Sequence, residues 1–460
     1  MFKVFSGLKN LLSHEKSCQS VNNYSLFKRM AGVFGVQCAD SSTMVQAIHD
    51  WNKVFQLSKT QVMKTVCHEA AKLVLTDSEI DISSDREEDK PLLKKISTDL
   101  ENKLSRSLEL GIALGGMIIK PTVTGFDLIA PTNFIPISFN SDGDLMSAIF
   151  IDRLFKGENI YTRLEYHHFE GSTYVIENKV FVSKYNYDLG SQISLRNISD
   201  WADIEEKSVI ENLSKPLFAY FRMPGFNNID ENSCSGISLC SAAMEYLLSF
   251  DNAFEGFKAD LETTRKVIFV NNSAMLSLDK GISRQRDFIN NPIPNLIVGL
   301  NGSADQIKEF NPSCNVEHFK MAMQMLLNLI STSSGFTAGY FSFDNFRNAV
   351  TATQIESEDQ VTVSTVIAIR KSLYSALNRA SEALIDILSL YNIAGSSNYS
   401  VNFYARDLSV TPEADRQHTF ELVKEGYYPL ELYLMEYEGL SEEDIKKYAE
   451  KIPRLSKVSE

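Results

Sequence analysis

The sequence has little from which a catalytic or cofactor site is assembled. It contains no phosphate-binding P-loop, no GxSxG, no HExxH, no GxGxxG after a strand and no EF-hand loop. Its six cysteines (Cys18, Cys38, Cys67, Cys234, Cys240, Cys314) show no CxxC or tight CxxxC spacing. Neither a zinc site nor a disulfide framework is indicated, and reduced, mostly buried thiols are expected. No apolar run approaches the roughly 20 residues that span a bilayer. The start, MFKVFSGLKNLLSHEKSCQS, has too short an apolar stretch for a secretory signal, which predicts a chain that stays in the cytoplasm with no membrane partner. Positive charge is also short, 45 basic against 59 acidic residues, leaving −14. That is the wrong sign for holding DNA by counterion release, although a wall that repels phosphates suits a duplex that must slide past it.

What is present is a folded chain. Over 460 residues, 44% are hydrophobic and 23% charged, with no internal repeat or low-complexity tract, so two to four packed units are expected.

The few candidates for chemistry are better read as structure. His167-His168 is an adjacent pair on a strand, where neighbours point to opposite faces and do not easily share one metal. Cys67-His68 lies in an apolar helix, where adjacent residues diverge by about 100°, so core packing is expected. Gly115-Gly116 precedes a strand instead of opening a helix, which suits a helix-to-strand turn and not an anion cradle. Ser83 to Lys90 (SSDREEDK) reads as a solvated connector. No metal and no cofactor is expected.

Along the chain, the first 110 residues read as helices, with Val62, Val66, Ala70 and Leu73 on one face and a second apolar period from Leu92 to Leu110. From Gly115 the period becomes strand-like: Met117–Val123, Leu145–Leu154, Tyr161–Phe169 and Thr173–Ser183, with Asp142-Gly143 as a hairpin signal. Helix returns from Ser238 to about Thr264. A small module over Lys266–Pro312 follows, with strands at Val267–Val270 and Leu296–Leu300, and then a second helix over Val316–Ser334. Phe336–Thr351 is a loop dense in aromatics with Arg347 among them, a composition that contacts nucleic acid or packs on neighbouring helices. A long helix of about 40 residues is predicted next, opened by a capping box at Thr353 and Glu356. Tyr399, Val401 and Phe403 alternate as a strand, and Thr411-Pro412-Glu413 opens a helical tail with 12 acids against 7 bases.

Seven stretches in order carry a resemblance: GGMIIKP at Gly115, PTNFIPISFNSDGDL at Pro131, YTRLEYHHF at Tyr161, PLFAYFRMPGFNNID at Pro216, SGISLCSAAMEYLLSFDNAFEGFKADLE at Ser235, and STSSGFTAGYFSFDN at Ser331 followed by TATQIESED at Thr351. Between about Trp51 and Tyr404 the chain resembles the portal proteins of long-tailed phages infecting Gram-positive bacteria. The resemblance implies an α+β portal fold with long helices and a β-rich wing segment. Residues 1–237 would form the N-terminal helices and wing, 238–265 and 313–335 the stem helices, and 266–312 the clip. Residues 336–351 would be the tunnel loop, 352–411 the long wing helix and strand, and 412–460 the crown.

It further implies a non-enzymatic dodecameric ring at one capsid vertex, through which double-stranded DNA is packaged and ejected. Partners would be the terminase large subunit, the head-tail adaptor, and the major capsid and scaffold proteins, with the chain in the virion after assembly in the host cytoplasm. Tunnel-loop residues Phe341, Asp344, Asn345, Phe346, Arg347 and Asn348 would face DNA, stem acids Glu245, Asp251, Glu255, Asp260 and Glu262 would line or edge the channel, and Lys280, Arg284 and Arg286 would dock a clip partner. The alternative is another ring- or shell-forming virion protein, a connector or capsid subunit.

Overall fold

The computed structural model describes residues 25–38, 58–76, 78–84, 86–231, 233–263, 267–271, 296–299, 307–310, 315–342, 360–391, 399–405 and 412–438. The chain is a mixed α+β protein of helices and mainly antiparallel sheets.

Helix α1 spans 25–33, and α2 runs from Val62–Leu75. Strand β1, Ser78–Ser84, then leads to α3, Lys90–Leu114. Helix α3 buries Leu93, Ile96, Leu100, Leu104, Leu108 and Ile112, a spacing of three and four that keeps one stripe inward. It stops at Gly115, whose φ of +91° is the left-handed turn that glycine adopts without a Cβ clash. The expected helix-to-strand turn is therefore present.

Strands β2 (Gly116–Thr122) and β3 (Gly125–Ile129) follow. Next come β4 (Phe134–Phe139), β5 (Leu145–Lys156), β6 (Asn159–Glu170), β7 (Thr173–Ser183), β8 (Ser191–Ile193) and β9 (Lys207–Ile210). Strands β4 to β8 pair in sequence order, with β9 added to β7, as a meandering six-stranded sheet. Its first hairpin turns at Asp142-Gly143, where the Asn140 side chain accepts from the backbone of Asp142 and Asp144 and Gly143 has φ +80°. Strand β10, Ala219–Arg222, joins β2 and β3 in a three-stranded sheet.

Helix α4, Met244–Thr263, begins six residues later than the sequence period suggested. Leu239 N–H donates to Ile112 C=O and Cys240 N–H donates to Ser238 Oγ, so residues 238–240 are tied to the end of α3, and a 3-10 turn over Ser241–Ala243 leads into α4. Strands β11 (Val267–Asn271), β12 (Leu296–Gly299) and β13 (Ile307–Phe310) form a small separate sheet. Helix α5, Val316–Ser333, is capped by the Asn315 side chain. Helix α6 spans Gln360–Leu390, 31 residues and about 46 Å of rise. Thr353 and Glu356, the expected capping box, lie outside the described residues, as does Thr411. Strand β14 (Tyr399–Ala405) and the helices α7 (Pro412–Glu425) and α8 (Leu430–Glu438) complete the order.

Strand β1 corrects the reading of the first 110 residues as helical with a solvated connector over 83–90. Ser83 and Ser84 belong to an antiparallel pair with β14, Ile80 facing Phe403 and Ile82 facing Val401. Its other edge is satisfied by side chains of α3: Ile80 N–H donates to Glu101 Oε1 at 2.7 Å and Ile82 N–H to Ser97 Oγ at 3.2 Å. A strand whose described backbone partner lies more than 300 positions away gives no local hairpin signal.

The main core joins α2, α3 and α6 with β2 and the near ends of α4 and α5; Val66, Leu104, Ile112, Ile330, Leu373 and Leu384 are all fully buried in it. Arg370 of α6 is buried too, donating to the carbonyls of Leu73, Val74 and Thr76 at 2.9 to 3.0 Å and so closing the C-terminal end of α2. A second core lies between α1 and one face of the large sheet, where Leu26, Phe27 and Met30 meet Ile149, Leu164 and Tyr166.

Candidate functional site

The helices expected as the stem pair are α4 and α5. The Phe257 and Phe319 rings lie 5.6 Å apart at one end, and Cys240, just ahead of α4, meets Ser334, just after α5, at the other. The helices therefore run antiparallel, about 30 Å and 27 Å long. The small β11–β13 sheet lies in the chain between their far ends. Leu247, Phe250, Met323, Leu327 and Ile330 fill the inner faces. At 100° per residue, the outer faces carry Glu245, Ser249, Asn252, Gly256 and Ala259 on α4 and Met321 and Met325 on α5. The two methionines are 70% and 65% exposed.

The five stem acids divide. Glu245 and Glu262 are exposed on α4, and Asp260 is partly exposed. Asp251 turns back into the chain: Ser58 Oγ donates to it at 3.0 Å and Thr60 N–H at 3.3 Å, with the Thr60 hydroxyl in close contact. It fastens the segment that leads into α2. Glu255 pairs with Lys59 at 2.6 Å. Among the five, Glu245 and Glu262 are thus the most open to whatever passes outside α4.

Of the loop, residues 336–342 are described. Phe336 is buried, and Tyr340 and Phe341 each pack on it with centroids 5.0 Å away. Tyr340 OH donates to Glu69 Oε1 on α2 at 3.0 Å. Phe341, expected at the channel, packs against the chain's own core, while Asp344, Asn345, Phe346, Arg347 and Asn348 lie outside the described residues. Lys280, Arg284 and Arg286 lie outside them as well.

Sequence reasoning missed a buried polar network between the large sheet and β2. Glu165 contacts Lys120 at 2.6 Å, His167 Nε2 at 2.7 Å and Arg163 at 3.4 Å. His167 Nδ1 lies 2.7 Å from Tyr174 OH, which accepts from Leu217 N–H. Since that hydroxyl has one proton left to give, it donates to Nδ1, which puts the imidazole proton on Nε2 facing Glu165. Burial alone would raise the Glu165 carboxyl, but Lys120, the His167 hydrogen bond and Arg163 together hold it well below the usual range. Burial lowers His167, against the pull of Glu165.

A cavity of about 470 Å³ opens beside this network, lined by Lys103, Lys120, Arg163, Asp127, Asp152 and Glu165. Three cations face three carboxylates, so it has no net charge to draw an ion. The alternation Arg163, Glu165, His167 on one strand face was the available signal, but without Lys120 beside it the pattern reads as ordinary exposed polarity.

As expected, His167 and His168 occupy opposite faces. His167 packs among Phe150, Tyr174 and Phe218, whereas His168 stacks on Tyr166 at 4.2 Å. Among the described residues, His168, Glu170 and Glu177 bring possible ligand atoms within 4.8 Å. Lys207 Nζ, 3.3 Å from both glutamates, already supplies their counter-charge. No described helix is long and apolar enough to cross a membrane.

Compared with known proteins, the chain matches no family model. No curated protein matches it either.

Proposed function

We propose that this chain is the ring-forming portal subunit of a tailed phage or prophage, a non-enzymatic conduit for DNA at one capsid vertex. The observation that carries the reading is the antiparallel α4–α5 pair. It has a small sheet inserted between its far ends, a β-rich body before it and a long core helix after it, in the order the resemblance implies. The outer faces of the pair support self-association. Met321 and Met325 of α5 are 70% and 65% exposed, an apolar outward surface that a second copy of the chain would cover. Repeated by a rotation that divides the circle, a heterologous contact of this kind closes a ring.

On this reading Glu245 and Glu262 repel phosphates along the channel, and Asn345, Arg347 and Asn348 touch them transiently. Lys280, Arg284 and Arg286 give the clip a basic patch for an acidic surface on the terminase or head-tail adaptor, while capsid and scaffold proteins meet the wing.

Purified protein imaged by negative-stain electron microscopy, with mass photometry of the same sample, tests the proposal. Rings with a central hole near 0.6 MDa, twelve chains of 51.8 kDa, are expected. Closed shells, which would favour a capsid subunit, or nuclease activity, would overturn it.

A further inference from the structure

At the root of the helix pair, Cys67 of α2 and Cys240 ahead of α4 bring their sulfur atoms to 3.9 Å, and both residues are fully buried. Ser334 Oγ, just past the end of α5, donates to Cys240 Sγ at 3.8 Å. Cys240 thus contacts both the Ser334 hydroxyl and the Cys67 thiol. The hydrogen bond to Cys240, together with burial, pushes the Cys67 thiol well up, which keeps it protonated. Cys240 is therefore assigned the nucleophile's part. Cys38 and Cys234 are more exposed, yet no second sulfur is described beside either.

We infer that Cys67 and Cys240 are a redox modification site, closed to a disulfide by hydrogen peroxide. The Cys240 thiolate attacks one peroxide oxygen, the O–O bond breaks, and hydroxide leaves and takes up the Cys240 proton as water, giving a sulfenic acid. The Cys67 sulfur then attacks the Cys240 sulfur, the S–O bond breaks, and the departing hydroxide takes the Cys67 proton as a second water. Two thiols and one peroxide become one disulfide and two waters, the sulfurs losing two electrons to the peroxide oxygens. Bringing the sulfurs to a bonded separation of about 2.05 Å is a movement of about 2 Å, within reach of side-chain rotation and a small backbone shift. Because both cysteines are fully buried, the oxidant that suits the site is small and uncharged, as hydrogen peroxide is.

The bond would tie α2 to the root of the helix pair across 173 positions of sequence, a long loop whose closure restricts the unfolded chain. Resting on the portal reading, the site stays reduced during assembly in the cytoplasm and closes in the released particle, stiffening the root of the stem in oxidising surroundings.

The test treats the full chain with hydrogen peroxide near neutral pH, alkylates the remaining thiols and maps peptides by mass spectrometry. The expected result is a Cys67–Cys240 linked peptide lacking two hydrogens, reversed by dithiothreitol, with a melting temperature a few degrees higher. Cys67→Ser should leave Cys240 as a sulfenic acid trapped by a 1,3-diketone, and Cys240→Ser should leave Cys67 a free thiol. If either variant fails to fold, time-resolved isotope-coded alkylation of the unaltered chain serves instead, since the two thiols must disappear together. Both thiols surviving after Cys38 and Cys234 are consumed would overturn the inference. Ring imaging under reductant is a separate readout, so failure to link and failure to form rings are distinct results.

Discussion

The large sheet and the α4–α5 pair differ in how much of their surface the chain covers by itself. One face of the sheet is packed by α1, and the other is closed by β2, Phe218 and the Glu165 network. The helix pair is covered on its inner side, while Met321 and Met325 face outward, and Phe257 and Phe319 are partly buried. The comparison teaches that the sheet, Phe155 and Val209 apart, is largely covered by the chain itself, whereas the outer side of the helix pair leaves Met321 and Met325 uncovered.

The sharpest way to break the sheet is Phe150→Ala. Phe150 is 4% exposed and touches His167, Phe218 and Lys120, so its loss should cost about 3–5 kcal/mol, read from urea unfolding. Glu165→Gln should cost about 3 kcal/mol at neutral pH, because Lys120 and Arg163 are left without their shared carboxylate.

The same network predicts acid sensitivity with a definite sign. Glu165 has a folded pKa below its unfolded one, so its stabilisation is complete above the ordinary value of 4.5 and is lost as pH falls below it. The folded pKa of His167 also lies below its ordinary 6.5; the unfolded chain takes the proton first, and stability declines as pH falls from there. Melting temperatures across this range should decline less steeply near the upper end in His167→Gln and near the lower end in Glu165→Gln.

On the helix pair, Asp251→Asn should cost about 1–2 kcal/mol by loosening the 58–60 segment, measured by urea unfolding or by faster amide exchange at the start of α2. The smallest effect on the single chain is expected for Met321→Ser with Met325→Ser, within about 0.5 kcal/mol. On the portal reading, the same double variant should shift rings to smaller species in mass photometry, a contrast that Phe150→Ala cannot mimic without unfolding.

Much of the fold was legible. The spacing of Leu93, Ile96, Leu100 and Leu104 announces α3, Val366 to Leu384 announces α6, and alternation announces β5 to β7. Less of the site was. The wheel of α4 shows where Asp251 lies but not that Ser58 and Thr60 claim it, and the aromatics after Gly335 do not reveal that Phe341 turns inward onto Phe336.

By itself the sequence determined the helices, the strands of the meander, the glycine turn at Gly115 and the surplus of acid, because each depends on residues a few positions apart and on local backbone preference. Tertiary structure alone decided that residues 78–84 pair with 399–405, that Lys120 meets Glu165, and that Cys67 meets Cys240. These are contacts between distant segments, set by how the helices and sheets pack, and no local period encodes them.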